Sequence, residues 1–348
     1  MLPVGIPKEI KEFENRVSLI PRDVKEIIEN GIIVYFQKGA GVNSGYNDYD
    51  YIEKGAVMVN SLEELYKNSK LIVKVKEPQE KEYPLINEKH TIFTFFHFAS
   101  NKTLLETMIN SNANCYAYES LYLTKEDGKI YYPILSNMSF IAGEQAFIEA
   151  DSFVNKYVPK IPNIPKNYNI HITIIGVGNA GISSMNTAIS MGYKNINLID
   201  KDYNKIRNIK KNFDEKDEYK DIIKIYLMNE YNLKNLMDKS IITIGSIYNT
   251  GEKTNNLLTN KIMDDMLPNS IIMDIAIDQG GITEQSKPTT KDNPYIIYKN
   301  VTIYCVPNIP SCVPQKASKL LSNSIINYVI SLSKNNTNMY PELLLSKL

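Results

Sequence analysis

Short apolar runs recur along the chain, separated by stretches whose apolar residues fall at helical spacing. Residues 32–36, 71–75, 91–95, 170–175, 196–199, 241–244, 271–275 and 301–306 read as strands, and Val24, Ile27 and Ile28 share one face of a helix. The first residues, Met1 to Gly5, already run into a strand-like segment. Strands that alternate with helices predict an α/β architecture of parallel sheets covered by helices on both faces. The stretch 139–157 carries a long helical pattern, and the prolines after it, Pro159, Pro162 and Pro165, cannot continue it. A domain junction is expected around this helix. No repeat of fixed period is present, and the one biased run is the Asn-rich 334–338.

The run 170–175 leads into Gly176-Val-Gly178-Asn-Ala-Gly181, a helical stretch to Met191 and a second strand that ends in Asp200. A Gly-x-Gly-x-x-Gly alone has little specificity. Here it follows a strand, opens a helix and has an acid 19 residues after Gly181, which is the dinucleotide-binding fingerprint. Gly176 would form the tight turn, Gly178 would let the backbone approach a pyrophosphate, and Gly181 would let the helix pack close. The helix N-terminus would add N–H donors and the positive end of its dipole. Asp200 would accept from the adenosine ribose and repel a 2′-phosphate, so NAD is expected over NADP, with Lys201 and Lys205 pulling the other way.

Composition narrows the partner. A chain of 348 residues, 43% of them hydrophobic, exceeds one ordinary core and suggests two domains. Its 39 basic and 39 acidic residues cancel and no basic block stands out, so the electrostatic footprint of a nucleic-acid binder is missing. Cys115, Cys305 and Cys312 are odd in number and at no metal-ligand spacing, so neither a disulfide framework nor a metal site is expected and the chain reads as intracellular. No apolar run reaches the roughly 20 residues that span a bilayer, and no leader precedes the first strand. A soluble, cytoplasmic protein without a membrane partner is expected. The final Ser346-Lys347-Leu348 gives the alternative location, because it spells a peroxisomal address where a receptor exists to read it. Only three basic residues are arginines, Arg16, Arg22 and Arg207, so an arginine that persists here hints at bidentate geometry.

Charged groups stand near the ends of predicted strands: Arg16 after the first, then Lys76, His97 and Asp278. Parallel sheets gather ligands at the carboxyl ends of their strands. Each residue also has a plain structural reading, since a histidine among Phe93, Phe95, Phe96 and Phe98 is what a half-buried ring looks like, and Lys76 fits a solvated strand end.

Together these stretches resemble the alanine dehydrogenase and pyridine-nucleotide transhydrogenase family over nearly the whole chain, most closely its alanine dehydrogenases. The carriers are Gly5-Ile-Pro-Lys-Glu-Ile-Lys11 with Glu14-Asn-Arg16-Val17, Gly39-Ala-Gly41 with Ser44-Gly-Tyr46, Val73-Lys-Val-Lys76-Glu-Pro78, and Phe93-Thr-Phe-Phe-His97-Phe-Ala99. Ala117-Tyr-Glu-Ser120, Met138-Ser139, the glycine motif, residues 274–281 and Asn308-Ile-Pro310 continue the match in order. The resemblance implies that Arg16 and Lys76 hold the carboxylate and carbonyl of pyruvate, that His97 is the acid/base, and that Asp278 is a second catalytic group near the nicotinamide. For the cofactor it implies contacts from Ser139, Asn179, Ala180, Lys205, Ile247, Ile275, Ile277, Lys287, Asn308 and Ile309. It also implies a Rossmann NAD-binding domain of residues 134–313 and a discontinuous, Rossmann-like substrate domain of residues 1–133 and 314–348. The reaction implied is reversible NAD-dependent deamination of L-alanine to pyruvate and ammonium by a homo-oligomer, hexamer or dimer.

The chain departs from the family pattern at residues 158–165, at Glu144, at the 250–255 loop Thr-Gly-Glu-Lys-Thr-Asn and at Ile309. Three other functions compete. A related imino-acid reductase, such as an N-carboxyethyl amino acid synthase, would use the same hydride transfer with a larger pocket. A transhydrogenase component would need membrane-spanning partners. A catalytically dead NAD-binding sensor would have no use for Arg16, Lys76, His97 and Asp278, which are all retained.

Overall fold

A computed structural model describes all residues except 99–100, 127, 159–169, 215–218, 248–253, 255 and 348. The proline-rich stretch after Val158, most of the 250–255 loop and the last residue of the C-terminal tripeptide therefore lie outside the described residues. The chain divides into two compact units, Met1–Met138 with Pro310–Leu348, and Ser139–Ile309.

Unit 1 is built on β1 (Val4–Ile6), β2 (Val34–Gln37), β3 (Val57–Val59), β4 (Leu71–Val73), β5 (Thr91–Thr94) and β6 (Asn114–Ala117). They form a six-stranded parallel sheet in the order β3-β2-β1-β4-β5-β6. The central strands β1, β4 and β5 are buried at every position, as continuous apolar runs in a sheet covered on both faces must be. Val57 and Met58 of edge strand β3 stay exposed. The predicted helix appears as Pro21–Glu29, with Pro at its first turn and Val24 and Ile27 buried. A small antiparallel hairpin, β7 (Leu123–Thr124) with β8 (Ile130–Tyr131), stands apart.

Unit 2 repeats the theme with β9 (His171–Ile175), β10 (Asn195–Asp200), β11 (Ile223–Leu227), β12 (Ile242–Gly245), β13 (Ser270–Asp274), β14 (Tyr295–Tyr298) and β15 (Val301–Tyr304). The order is β11-β10-β9-β12-β13-β15-β14, parallel except for the antiparallel edge strand β14. One face of this sheet packs Ile172, Ile174 and Leu198 against Ala146, Phe147 and Val154 of the Pro133–Tyr157 helix. The other packs Ile175, Ile199 and Ile272 against Leu233 and Met237. In both units the strand order reverses beside the first strand, between β1 and β4 and between β9 and β12, which is the doubly wound plan.

All eight predicted strands are present with adjusted ends. Run 71–75 stops at Val73 as a strand because the Val75 N–H turns to the Glu9 carboxylate at 2.6 Å. The pattern missed β3, β6, β7, β8, β11 and β14, which are very short, mixed with polar residues, or at a sheet edge where one face needs no apolar cover.

The tail completes unit 1 through serines. Backbone N–H groups of Asn15, Val17 and Ile20 donate to Ser311, Ser318 and Ser322 Oγ at 3.0, 2.9 and 3.0 Å. Ser318 and Ser322 belong to the Pro314–Ser333 helix, so the loop around Arg16 has its backbone donors satisfied by residues some 300 positions away. Cys115, Cys305 and Cys312 are free, and burial pushes the thiols of Cys115 and Cys305 up to about 12, where they are inert. Ser346 is buried and Lys347 bridges to Tyr116. Among the described residues no helix is long and apolar enough to cross a membrane.

Ser318 is fully buried, and its Oγ also lies 2.9 Å from Ser44 Oγ. Ser318→Ala leaves the Val17 N–H without its acceptor and is expected to destabilise the protein by about 1–3 kcal/mol. Urea unfolding followed by circular dichroism should show a lower midpoint with an unchanged slope.

Candidate active site

In unit 1 the carboxyl edge of the sheet is organised around buried charge. The Glu9 carboxylate, just beyond β1, accepts the Val75 N–H at 2.6 Å and the Lys76 N–H at 3.4 Å. Lys74 Nζ lies 3.1 Å from Glu9 and 3.0 Å from Glu82, with Lys74 and Glu82 wholly buried. Glu82 also accepts the Tyr66 hydroxyl at 3.0 Å and the Gln79 N–H at 2.8 Å. Burial works to discharge Lys74, but Glu82 and Glu9 outweigh it and lift its pKa above the ordinary lysine value. Burial, opposed by Lys74, leaves the Glu9 carboxyl above its usual range. Lys74 is thus committed to structure. Lys76, also buried, is fixed by its backbone, whose carbonyl accepts from Thr94 Oγ1 at 2.8 Å.

Arg16 is buried, and the fork made by its Nε and Nη2 grips Glu14 at 2.8 and 2.6 Å. Nη1 meets Met138 Sδ at 3.3 Å. Glu14 thus fixes the guanidinium plane of Arg16 from its Nε/Nη2 edge. Ser18 Oγ donates to the Val73 carbonyl at 2.7 Å, tying this loop to the end of β4.

His97 follows β5 by three residues and has φ 53°, the left-handed region that costs a non-glycine residue roughly 1–2 kcal/mol. Its ring stacks on Phe95 with centroids 5.6 Å apart and planes at 4°. The Phe96 and His97 N–H groups donate to Glu119, at 3.2 and 2.5 Å to Oε1. Burial holds the Glu119 carboxyl above its usual range, against those N–H groups and the charge of Lys76.

In unit 2 the glycine motif bends as its spacing predicts. Gly176 has φ 93°, and a Cβ there would meet the Ser246 carbonyl at 2.9 Å. A Cβ on Gly181 would fall 2.0 Å from the Gly176 carbonyl, so this glycine lets the helix sit against the turn. Gly178 is different, because nothing lies within 4 Å of a Cβ built there. It is the N-cap of the Asn179–Ser190 helix and no side chain caps that helix. Open space at Gly178 and an uncapped helix start fit a pyrophosphate. Ala180 packs against the long helix, its carbonyl 2.0 Å from a Cβ built on Gly143. Asp200 ends β10 and accepts the Val177 and Asp202 N–H groups at 2.8 and 2.9 Å, with Lys205 Nζ at 3.6 Å.

Ile247 follows β12, two residues beyond Gly245. Ile275, Ile277 and Asp278 lie in the turn Ile275–Gln279 after β13, and Asp278 Oδ2 accepts the Asn308 N–H at 3.5 Å. Asn308, with φ 57°, precedes the buried Ile309. Ser139 starts this unit within the long helix, and Lys287 is exposed on the loop before β14.

Sequence reasoning missed the groups that hold these residues. Glu9 and Glu14 stood inside recognised motifs, and an acid two residues before the rare Arg16 was a usable signal. Nothing in the spacing marked Lys74, Glu82 or Glu119. Ser246, whose Oγ donates to the Gly176 carbonyl at 2.7 Å, and Asp274, which accepts Ser286 Oγ at 2.5 Å and the Ile282 N–H at 2.8 Å, were missed as well.

A doubly wound sheet with the dinucleotide fingerprint, in one chain with a second such sheet edged by cationic groups, is the architecture of the two-unit oxidoreductases. The chain belongs to the alanine dehydrogenase/PNT family. The model for the alanine dehydrogenase/PNT N-terminal domain matches residues 5–142, and that for the C-terminal domain matches residues 151–344. Similar curated proteins include an alanine dehydrogenase of Halomonas elongata, 31% identical over 95% of this chain and 88% of its own length. Another is an alanine dehydrogenase of Mycolicibacterium smegmatis, 32% identical over 95% and 87%. A solved L-alanine dehydrogenase superposes with TM-score 0.88 at 27% identity, over 99% of this chain and 94% of that one.

Lys74→Met would leave Glu9 and Glu82 buried without their shared cation, at a cost of about 3–5 kcal/mol. In the native chain the raised Lys74 pKa gives stabilisation that is complete below the ordinary lysine range and is lost only as pH rises through the folded value. In the variant Glu9, whose carboxyl burial already holds above its usual range, would lose the cation that opposes that shift, so stability should fall as pH rises through the window between its usual and its raised value. Denaturation at several pH values should find the gap to the native protein widest near neutrality and narrower in acid.

Proposed function

We propose that the protein catalyses the reversible, NAD-dependent oxidative deamination of L-alanine to pyruvate and ammonium. The observation that carries this reading is that Arg16, Lys76 and His97 all follow strands of one parallel sheet and each is held by an acid, Glu14, Glu9 and Glu119 in turn. Family membership and the alanine dehydrogenases among its relatives support the same reaction. In the deaminating direction Arg16 and Lys76 hold the substrate carboxylate, and Lys76 polarises the oxygen of pyruvate in reverse. Bound NAD, along Gly176 to Gly181 and against Asp200, supplies the acceptor for the hydride from the α-carbon. His97 takes a proton from the water that adds to the imino carbon and returns it to nitrogen as ammonia leaves. Asp278 is the second catalytic group, and Ser139, Lys205, Ile247, Ile275, Ile277, Lys287, Asn308 and Ile309 are the proposed further cofactor contacts. The proposed location is the cytoplasm, and the proposed assembly is a homo-oligomer, hexamer or dimer, which light scattering decides.

Absorbance of NADH during incubation with pyruvate and ammonium, and with a panel of amino acids in reverse, tests the reaction. L-alanine should be the preferred amino acid, and a preference for a second amino acid as co-substrate with pyruvate would replace this reading with that of an imino-acid reductase. His97→Ala should lower turnover in both directions by at least about 100-fold, the contribution expected of a general acid/base. NADH binding, followed by its fluorescence, should survive.

Replacing Asp200 by Ser removes the charge that faces the ribose while Lys205 remains. Kinetics with both cofactors should shift toward NADP by about tenfold or more, equivalent to 1.4 kcal/mol. A native enzyme that already prefers NADP would show that the lysines dominate.

A further inference from the structure

We propose that Glu119 is a positioning residue for His97: its carboxylate clamps two consecutive backbone N–H groups and thereby holds the left-handed turn that aims the imidazole. The inference rests on the acid/base reading of His97. β5 ends at Thr94, and the Phe95 N–H still reaches the Val75 carbonyl at 3.4 Å. The next two N–H groups point away from the sheet, and both find Glu119. Phe96 N–H spans the two carboxylate oxygens at 3.2 and 3.3 Å, and His97 N–H donates to Oε1 at 2.5 Å.

Glu119 comes from the turn Tyr118–Ser120 directly after β6, the strand paired with β5, so the clamp joins two neighbouring strand ends. Its geometric result is specific. A residue with φ 53° directs its Cα–Cβ bond differently from one in an ordinary extended or helical conformation, and here the ring lies flat on Phe95. If the backbone relaxed to negative φ, the imidazole would leave that face. A strained backbone persists only where surrounding bonds over-determine it, and the doubly engaged carboxylate is such a determinant. The clamp needs an acceptor at the right reach and does not need charge, so a glutamine can replace it and a shorter acid cannot.

The test compares Glu119→Gln, Glu119→Asp, Glu119→Ala and His97→Ala in the full-length enzyme, reading kcat, the KM for pyruvate, NADH binding and the thermal midpoint. Glu119→Ala should lower kcat by about 100-fold, the penalty of a reacting group misplaced by about an ångström, with pyruvate KM and NADH binding little changed. Glu119→Gln should retain most of the native kcat, because the amide oxygen still accepts, and Glu119→Asp should be slower than Glu119→Gln despite keeping the charge. Glu119→Asp equal to or faster than Glu119→Gln overturns the clamp, as does a Glu119→Ala enzyme with native kcat or one changed only in KM. If Glu119→Ala fails to fold, the order of Gln and Asp decides alone. A fully active His97→Ala enzyme overturns the acid/base reading itself, and the clamp's catalytic role with it. A slow His97→Ala combined with Asp at or above Gln overturns the clamp alone.

Discussion

Lys74 sits with no solvent exposure between Glu9 and Glu82, and much of unit 1 is arranged so that this ammonium can stay charged. Taking it from water costs several kcal/mol, which only close and well-directed carboxylates offset. Glu9 arrives from the end of β1, Lys74 from the end of β4, and Glu82 from the loop that follows, so the charge cluster ties three chain segments at the switch point of the sheet. Glu9 then has one oxygen left for the Val75 and Lys76 N–H groups, and this sets where Lys76 stands. Lys74 and Lys76 are two residues apart, the first held through its ammonium and the second through its backbone.

The same economy recurs at Arg16 and His97. Each cationic or titratable group at this edge has an acid behind it: Glu14 for Arg16, Glu9 for the backbone of Lys76, and Glu119 for the backbone of His97. The acids fix orientation from the protein side. Unit 2 solves its task without charge pairs of this kind, using glycine. Gly176 and Gly181 bring turn and helix together, whereas Gly178 keeps a space clear.

The α/β class, the glycine motif and the acid ending β10 were legible in the sequence because each has a fixed period or spacing that physics imposes. The central strands were legible for the same reason, as runs such as 71–75 and 91–95 must be apolar on both faces. Edge strands β3, β6 and β14 were not, since a strand at a sheet edge needs less apolar cover and leaves little contrast to detect. Arg16, Lys76, His97 and Asp278 could be singled out as charged residues near strand ends, and the structure sets the last three a few residues beyond their strands and Arg16 farther along the loop after β1. Glu14, two residues before Arg16, was the one supporting acid with a local signal; the other pairings are long-range, with Glu9 65 positions from Lys74 and Glu119 22 from His97. Among many acids, spacing alone gives no reason to choose these.

The serines of the C-terminal helix bear on the order in which the chain can become functional. Unit 2 is one continuous segment, Ser139–Ile309, and holds every strand of its own sheet. Unit 1 has all its strands within the first 138 residues, yet three backbone N–H groups of its Arg16 loop, those of Asn15, Val17 and Ile20, donate to Ser311, Ser318 and Ser322. During synthesis from the N-terminus, the sheet of unit 1 is therefore made first and finished last. A nascent chain that has already made the whole of unit 2 still lacks the three serine acceptors of the Arg16 loop, so unit 1 is complete only once residues 311–322 have joined it.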